Sequence, residues 1–148
     1  MKNKEIINKI ALIQQSDGYS SGAACLKSLL LYYETYFHKQ GTGKYPIVGF
    51  EPKHLVRELE NRGYWCVSGA MVVADLRHFL SVGRLCICLT NYLDIGNYVL
   101  VYRIERSIVY FMCPVLGFRK LSSPEFVKIW KEVDSEGNMT KCWAVAAK

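Results

Sequence analysis

At Gly83 the hydrophobic period of the chain changes. Before it, Leu26, Leu29, Leu30, Tyr33 and Phe37 recur at three- and four-residue spacing, which predicts a mostly buried helix beginning near Ser21, with Ser20 and Ser21 as candidate N-caps. "EPKHLVRELENRG" predicts a second helix with proline in its first turn and Gly63 as its stop, and "VVADLRHFLSVG" a third closed by Gly83. Between them "YWCVSG" reads as a short strand. After Gly83, "RLCICLTN", "NYVLVYRIER" and "SIVYFMCP" are rich in β-branched, aromatic and apolar residues and predict strands, the last two joined by a hairpin at Glu105-Arg106-Ser107. "SSPEFVKIWKEV" predicts a fourth helix with Ser123 as N-cap and Pro124 at its first position, and "KCWAVAAK" a closing strand. This order is that of an α+β fold, N-terminal helices packed on an antiparallel sheet containing 84–90, 97–105, 107–113 and 140–147.

Size and charge narrow the functions. At 148 residues with 51% hydrophobic content, residues 1–148 are expected to form a single domain with its own core. No apolar run reaches the roughly eighteen residues of a membrane span, and the lead-in "MKNKEIINKIALIQQSDG" lacks the apolar core and cleavage site of a signal peptide, so a cytoplasmic location is expected. "EIINKIALI" reads as a short helix or extended lead-in. The formal charge of +6 is scattered from Lys2 to Lys148 without a basic cluster or nucleic-acid motif, so no nucleic-acid partner is expected. The six cysteines (Cys25, Cys66, Cys86, Cys88, Cys113, Cys142) lie mostly in apolar runs and form no CxxC pair, which predicts neither a disulfide framework nor a metal site. Gly41-Thr-Gly-Lys lacks the rest of a phosphate-binding loop and reads as a surface turn. No cofactor is expected.

Three blocks carry a resemblance. Gln15, then Ser21-Gly22-Ala23-Ala24-Cys25-Leu26 and "LLLYYE" resemble the opening of the peptidase C39 family, papain-like cysteine peptidases found as N-terminal domains of ABC-type bacteriocin and peptide exporters. "GNYVLVYRI" resembles that family's histidine-centred strand, and "YFMCPVLGFRKLSSPEFVKIW" its Asp-Pro, glycine, Ser, Phe, Trp segment. The resemblance implies a papain-like fold.

Carried over residue by residue, it also implies an altered site. Gln15 matches the glutamine whose side-chain N–H would stabilise an oxyanion, and Gly22 and Pro114 are retained. Ser21 stands at the position of the nucleophilic cysteine, Asn97 at that of the general-base histidine, and Cys113 at that of the aspartate that orients it. An adjacent imidazole makes a thiol a nucleophile near neutrality, whereas an unassisted serine hydroxyl ionises far above pH 7, and an asparagine takes no proton.

The expected function is therefore a catalytically inactive C39-like domain that binds a peptide or unfolded polypeptide in a degenerate groove, with an ABC exporter as candidate partner. Gly22, Tyr19, Tyr92 and Tyr98, with Tyr102, are the candidate binding residues; ordinary strand and core packing is the alternative for the tyrosines. Trp65, Trp130 and Trp143 read as core. The helix N-terminus at Ser21 and the net positive charge favour an acidic or C-terminally anionic peptide. The competing enzyme reading is a cysteine peptidase or acyl-transfer enzyme with a relocated nucleophile, Cys25 paired with His38, His54 or His78. His54 and His78 are predicted on polar helix faces, and Asp17 and Asp94 as turn residues. A subunit that docks on a larger exporter is a third reading.

Overall fold

Ser20 caps the first helix. Its hydroxyl accepts the N–H of Ala23 at 3.2 Å, and its carbonyl accepts the first helical N–H, from Ala24, at 2.9 Å. This helix, α1, spans Ser21–Phe37 and is enclosed over most of its length, burying Gly22 through Leu26, Ser28 through Leu30, Tyr32 and Tyr33. A computed structural model describes residues 9–14, 20–37, 51–92, 96–133 and 136–148. The other helices among them are α2 (Pro52–Asn61), α3 (Val73–Ser81) and α4 (Ser123–Ile129). The strands are β1 (Cys66–Ala70), β2 (Leu85–Thr90), β3 (Asn97–Glu105), β4 (Ile108–Cys113), β5 (Gly117–Ser122), β6 (Lys131–Val133), β7 (Met139–Lys141) and β8 (Trp143–Ala147).

Six strands form one antiparallel sheet in the order β1-β8-β2-β3-β4-β5, and β6 pairs with β7 separately. Strand alternation sends successive side chains to opposite faces, and here both faces are covered. Leu85, Ile87, Leu89, Tyr98, Leu100, Tyr102, Val145 and Ala147 pack with Leu26, Leu29 and Tyr33 of α1 and Leu55 and Leu59 of α2. Cys86, Cys88, Val99, Val101, Ala144 and Ala146 pack with Leu76 of α3, Phe126 of α4 and Trp130. Double coverage explains why β2, with all six residues buried, reads "LCICLT" with almost no polar alternation. Each fully buried Leu or Phe contributes roughly 1.5–3 kcal/mol of transfer free energy, so the two clusters are the principal source of stability.

Two buried polar side chains, Ser28 and Tyr33, help lock α1 onto the rest. Ser28, fully buried, donates its hydroxyl to the Ala11 carbonyl at 2.7 Å and so fixes the lead-in segment. The Tyr33 hydroxyl lies against the Gly83 and Ala147 carbonyls at 2.9 and 2.7 Å and accepts the Leu85 N–H at 2.9 Å, joining α1 to β2 and β8. Tyr33→Phe removes this junction and leaves a buried donor and acceptor unmet. The expected loss is about 1–3 kcal/mol in chemical denaturation, with an unchanged far-ultraviolet circular dichroism spectrum. A midpoint equal to that of the parent protein would show the junction to be energetically idle.

The elements expected within the described residues are present, with corrections at their ends; the Gly41-Thr-Gly-Lys turn and the start of "EIINKIALI" lie outside those residues. The α4 N-cap is Ser122, not Ser123: the Ser122 hydroxyl accepts the Glu125 N–H at 3.3 Å while the Glu125 carboxylate accepts the Ser122 N–H at 3.2 Å, so Pro124 falls one position later than expected. The helix ends at Ile129, and "KEV" forms β6. "GFRKLS" is a strand the sequence reading did not anticipate, opened by Gly117 at φ 90° and paired along β4. "KCWAVAAK" is divided at Cys142, whose φ of 56° turns the chain between β7 and β8. The "YWCVSG" strand begins at Cys66 and extends the sheet beyond β8. The hairpin expected at Glu105-Arg106-Ser107 is present, with Glu105 still in β3 and Arg106, at φ 56°, and Ser107 forming the turn to β4. Trp130 is core, but Trp65 is 53% exposed, because it precedes β1 on the outer edge of the sheet.

Candidate functional site

The first residue of α1 meets the first residues of β3. Ser21, half-buried, accepts the backbone N–H of Tyr98 at 3.0 Å, which pins the N-terminus of the helix to the start of the strand. Among the described residues this amide is the hydrogen-bond partner shown for the Ser21 hydroxyl. No imidazole or carboxylate bonds to it there.

Asn97 precedes Tyr98, and its side chain points to the opposite face. Its Nδ2 donates to the Cys113 sulfur at 3.7 Å, and its Oδ1 accepts the Thr90 hydroxyl at 3.0 Å. Thr90 stands opposite Asn97 in the β2–β3 register and itself accepts the Tyr92 N–H at 3.3 Å. All three side chains are enclosed, Asn97 at 4% exposure and Thr90 and Cys113 at 0%. The arrangement is a satisfied polar cluster in an apolar setting, where each donor and acceptor lost would be costly. Thr90 was missed in the sequence reading; its signal is only its place at the end of β2, opposite Asn97.

The structure thus brings Ser21, Asn97 and Cys113 to one end of the sheet, in the chain order of the three resembling blocks. It does not arrange them as a proton relay. Asn97 has no basic nitrogen, and its amide is committed to Cys113 and Thr90. Ser21 faces a backbone donor, which stabilises a lone pair rather than removing a proton. Gln15 and Tyr19 lie outside the described residues, as do Asp17, His38 and Asp94.

Cys25, one helical turn along α1, is fully enclosed; burial first, and then the neighbouring Cys113, push its thiol well above the ordinary range. A thiol so placed is protonated and inaccessible, the opposite of an activated nucleophile. His54 and His78 are exposed on α2 and α3, as the sequence predicts. All six cysteines are free thiols, and among the described residues no three His, Cys, Asp or Glu side chains converge on a metal-sized position.

Of the described tyrosines proposed as groove contacts, Tyr98 and Tyr102 pack as core and Tyr92 is half-buried. Tyr98 is 4% exposed and meets Trp143 edge-on with ring centres 6.2 Å apart, Tyr102 is 2% exposed against Phe118, and Tyr92 rests edge-on against Phe111. Gly22 is buried in the first turn of α1. Strand alternation explains Tyr98: with Asn97 facing one cluster, its neighbour must face the other. Trp143, expected to be core, instead borders open space next to Tyr98. It lines a cavity of about 380 Å³ with Pro52, Lys53, Val56 and Ser68, between α2, β1 and β8. Through the Tyr98–Trp143 ring pair this cavity adjoins the Ser21 end of the sheet.

Glu132 is a further residue the sequence reading missed. A Cβ on Gly96 would fall 1.8 Å from Glu132 Oε1, so the carboxylate lies directly on the backbone that leads into Asn97. Burial first, and then this carboxylate, raise the Tyr98 phenol above its ordinary range. This places an acidic side chain at the end of the site where an acidic or C-terminally anionic peptide is the expectation.

The family model described as the Peptidase C39 family matches residues 9–134. Among solved structures, the chain is similar to a double-glycine-motif protease from an AMS/PCAT transporter, crystallised in complex with the leader peptide. The match has a TM-score of 0.65 at 18% identity and covers 94% of this chain and 91% of that one. No curated protein matches the chain.

Proposed function

Since this chain belongs to the peptidase C39 family, we propose that it is a non-cleaving member that holds an extended polypeptide beside the Ser21 end of its sheet. The observation that carries the reading is the Asn97 side chain, fixed between Thr90 and Cys113 at the position where the family resemblance expects a base. A group held in this way orients and fills; it does not accept a proton. Retention of the fold without the chemistry leaves the grip, because contacts to an extended chain use backbone groups and apolar side-chain pockets rather than the nucleophile. The cavity beside Trp143 supplies one such pocket. The structurally similar protease was crystallised with a leader peptide, which supports a peptide as the class of ligand. In this reading residues 1–148 act as one domain, in the cytoplasm, and serve an ABC exporter by presenting a polypeptide to it.

The test is fluorescence anisotropy with a labelled synthetic leader peptide ending in two glycines. Micromolar-class binding is expected, the order of magnitude for a small transient interface. Trp143→Ala should weaken it about tenfold, the loss typical of an aromatic anchor, while Ser21→Ala leaves it unchanged. Absence of binding at millimolar peptide, or equal affinity for a scrambled peptide, would remove the reading.

A further inference from the structure

The other end of α1 carries a surface unrelated to the site. The helix has 17 residues, so Tyr36 and Phe37 lie roughly 25 Å from Ser21 at 1.5 Å rise per residue. They are 42% and 44% exposed, and Trp65 is 53% exposed. Each of the three rings carries a cation. The Arg84 guanidinium sits 3.9 Å from the centre of Trp65, Lys148 Nζ 5.2 Å from Phe37, and Lys9 Nζ 5.2 Å from Tyr36. The set is continuous: Trp65 and Lys148 exchange backbone hydrogen bonds at 3.1 and 3.2 Å, Lys148 Nζ lies over Gly83 beside Arg84, and Tyr32 packs against both Tyr36 and Phe37.

Among the described residues these cations enter no ion pair. Ion pairs among the described residues join Lys53 to Glu51, Arg62 to Glu58 and Arg103 to Glu105, and none of these involves Lys9, Arg84 or Lys148. The Arg84 Nε is buried without a hydrogen-bond partner. Exposed aromatic rings interleaved with cations match the composition of side chains that settle at a membrane–water boundary, where rings lie at headgroup level and cations meet anionic lipid. Nucleic acid fits less well. Base stacking needs an open ring face, and here cations occupy the ring faces.

We propose that this aromatic and cationic belt, on the β1 side of the sheet, docks the protein peripherally on an anionic phospholipid surface. Among the described residues no helix is long and apolar enough to cross a membrane, so the contact is one of lying on the surface. The belt and the Ser21 end are far enough apart for a peptide to be held while the protein rests on lipid.

Co-sedimentation of the full chain with vesicles tests this, using phosphatidylcholine alone and phosphatidylcholine with about 30% phosphatidylglycerol. Binding is expected only to the anionic vesicles, and it should weaken as salt rises. Each belt cation should contribute about fivefold, so the double variant Lys9→Gln/Lys148→Gln should lower the partition coefficient about 25-fold. Trp65→Ser should also weaken binding, with folding checked by circular dichroism. The control is Arg119→Gln/Lys120→Gln on β5, at the opposite edge of the sheet, which removes the same charge and should have little effect. Equal binding to neutral vesicles, no vesicle binding, or an equal loss in the β5 variant would overturn the proposal. So would binding of an oligonucleotide or an acidic protein by the belt in the absence of vesicle binding.

Discussion

A double-glycine leader peptide incubated with this protein is expected to remain intact, with mass spectrometry detecting no cleavage above the uncatalysed rate. The magnitude follows from the parts removed. Loss of one central member of a nucleophile–base pair costs about a million-fold in well-studied hydrolases, and further losses add little because the members act as a unit. Here Ser21 has the Tyr98 amide as its bonded neighbour, and Asn97 is committed to Thr90 and Cys113. Cleavage that vanished in Ser21→Ala would reverse this conclusion. Restoring the chemistry by Ser21→Cys, Asn97→His and Cys113→Asp together is expected to recover little. The Asn97 and Cys113 side chains are closed off from solvent, and a new imidazole and carboxylate would have to fit a cluster shaped around an amide and a thiol. Cys113→Asp alone should be the worst of the three singly, because it buries a carboxylate at a fully enclosed position.

The buried thiols give a second readout of the same silence. Cys86 is pushed up to about 12 by burial, from an ordinary value of 9.0, and burial likewise drives Cys25 and Cys88 upward. A raised acid favours its protonated form in the folded state. Its contribution to stability is therefore fully present below about pH 9 and is lost as pH rises toward about 12. Iodoacetamide near pH 8 should accordingly leave Cys25, Cys86 and Cys88 unmodified in the folded protein. Rapid labelling of Cys25 would revive the relocated nucleophile.

The sequence conveyed the elements whose signals are local and periodic. The α1 stripe, the β2 and β3 apolar runs and the turn at Arg106-Ser107 each express a period or a turn chemistry that a single segment contains. What it did not convey was set by partners distant in the chain. "GFRKLS" becomes a strand because β4 offers it an edge, and its charged residues point outward from the border of the sheet. Glu132 reads as the continuation of a helix, yet the chain leaves α4 at Ile129 and the β6–β7 pair carries its carboxylate onto Gly96. Tyr98 and Trp143 show the same limit. Both are aromatic residues at strand starts, and only the packing of α2 and β1 decides that Trp143 borders the cavity while Tyr98 is enclosed.

Trp130→Ala is expected to destabilise the protein by about 3–5 kcal/mol, the range for truncating a large buried aromatic. Trp130 is fully buried, packs its ring on Phe126 with centres 5.6 Å apart, and donates Nε1–H to the Trp143 carbonyl at 2.9 Å. Its own carbonyl accepts the Cys142 N–H at 2.8 Å, and the adjacent Ile129 carbonyl accepts the Asn91 N–H at 2.8 Å. One residue therefore ties the end of α4 to β8, to the β7–β8 turn and, through its neighbour, to the segment after β2. Two consequences should separate in experiment. Trp130→Phe keeps most of the apolar volume and removes the Nε1–H bond, so it should cost about 1 kcal/mol beyond the packing loss. Both variants should also loosen the β6–β7 pair, because β6 begins one residue after Trp130. Amide hydrogen exchange at 131–133 is then expected to accelerate more than exchange in α1, since local opening draws on the contacts that hold that segment. Uniform acceleration across both regions would mean that Trp130 acts on global stability alone and has no special hold on the strand that places Glu132 against Gly96.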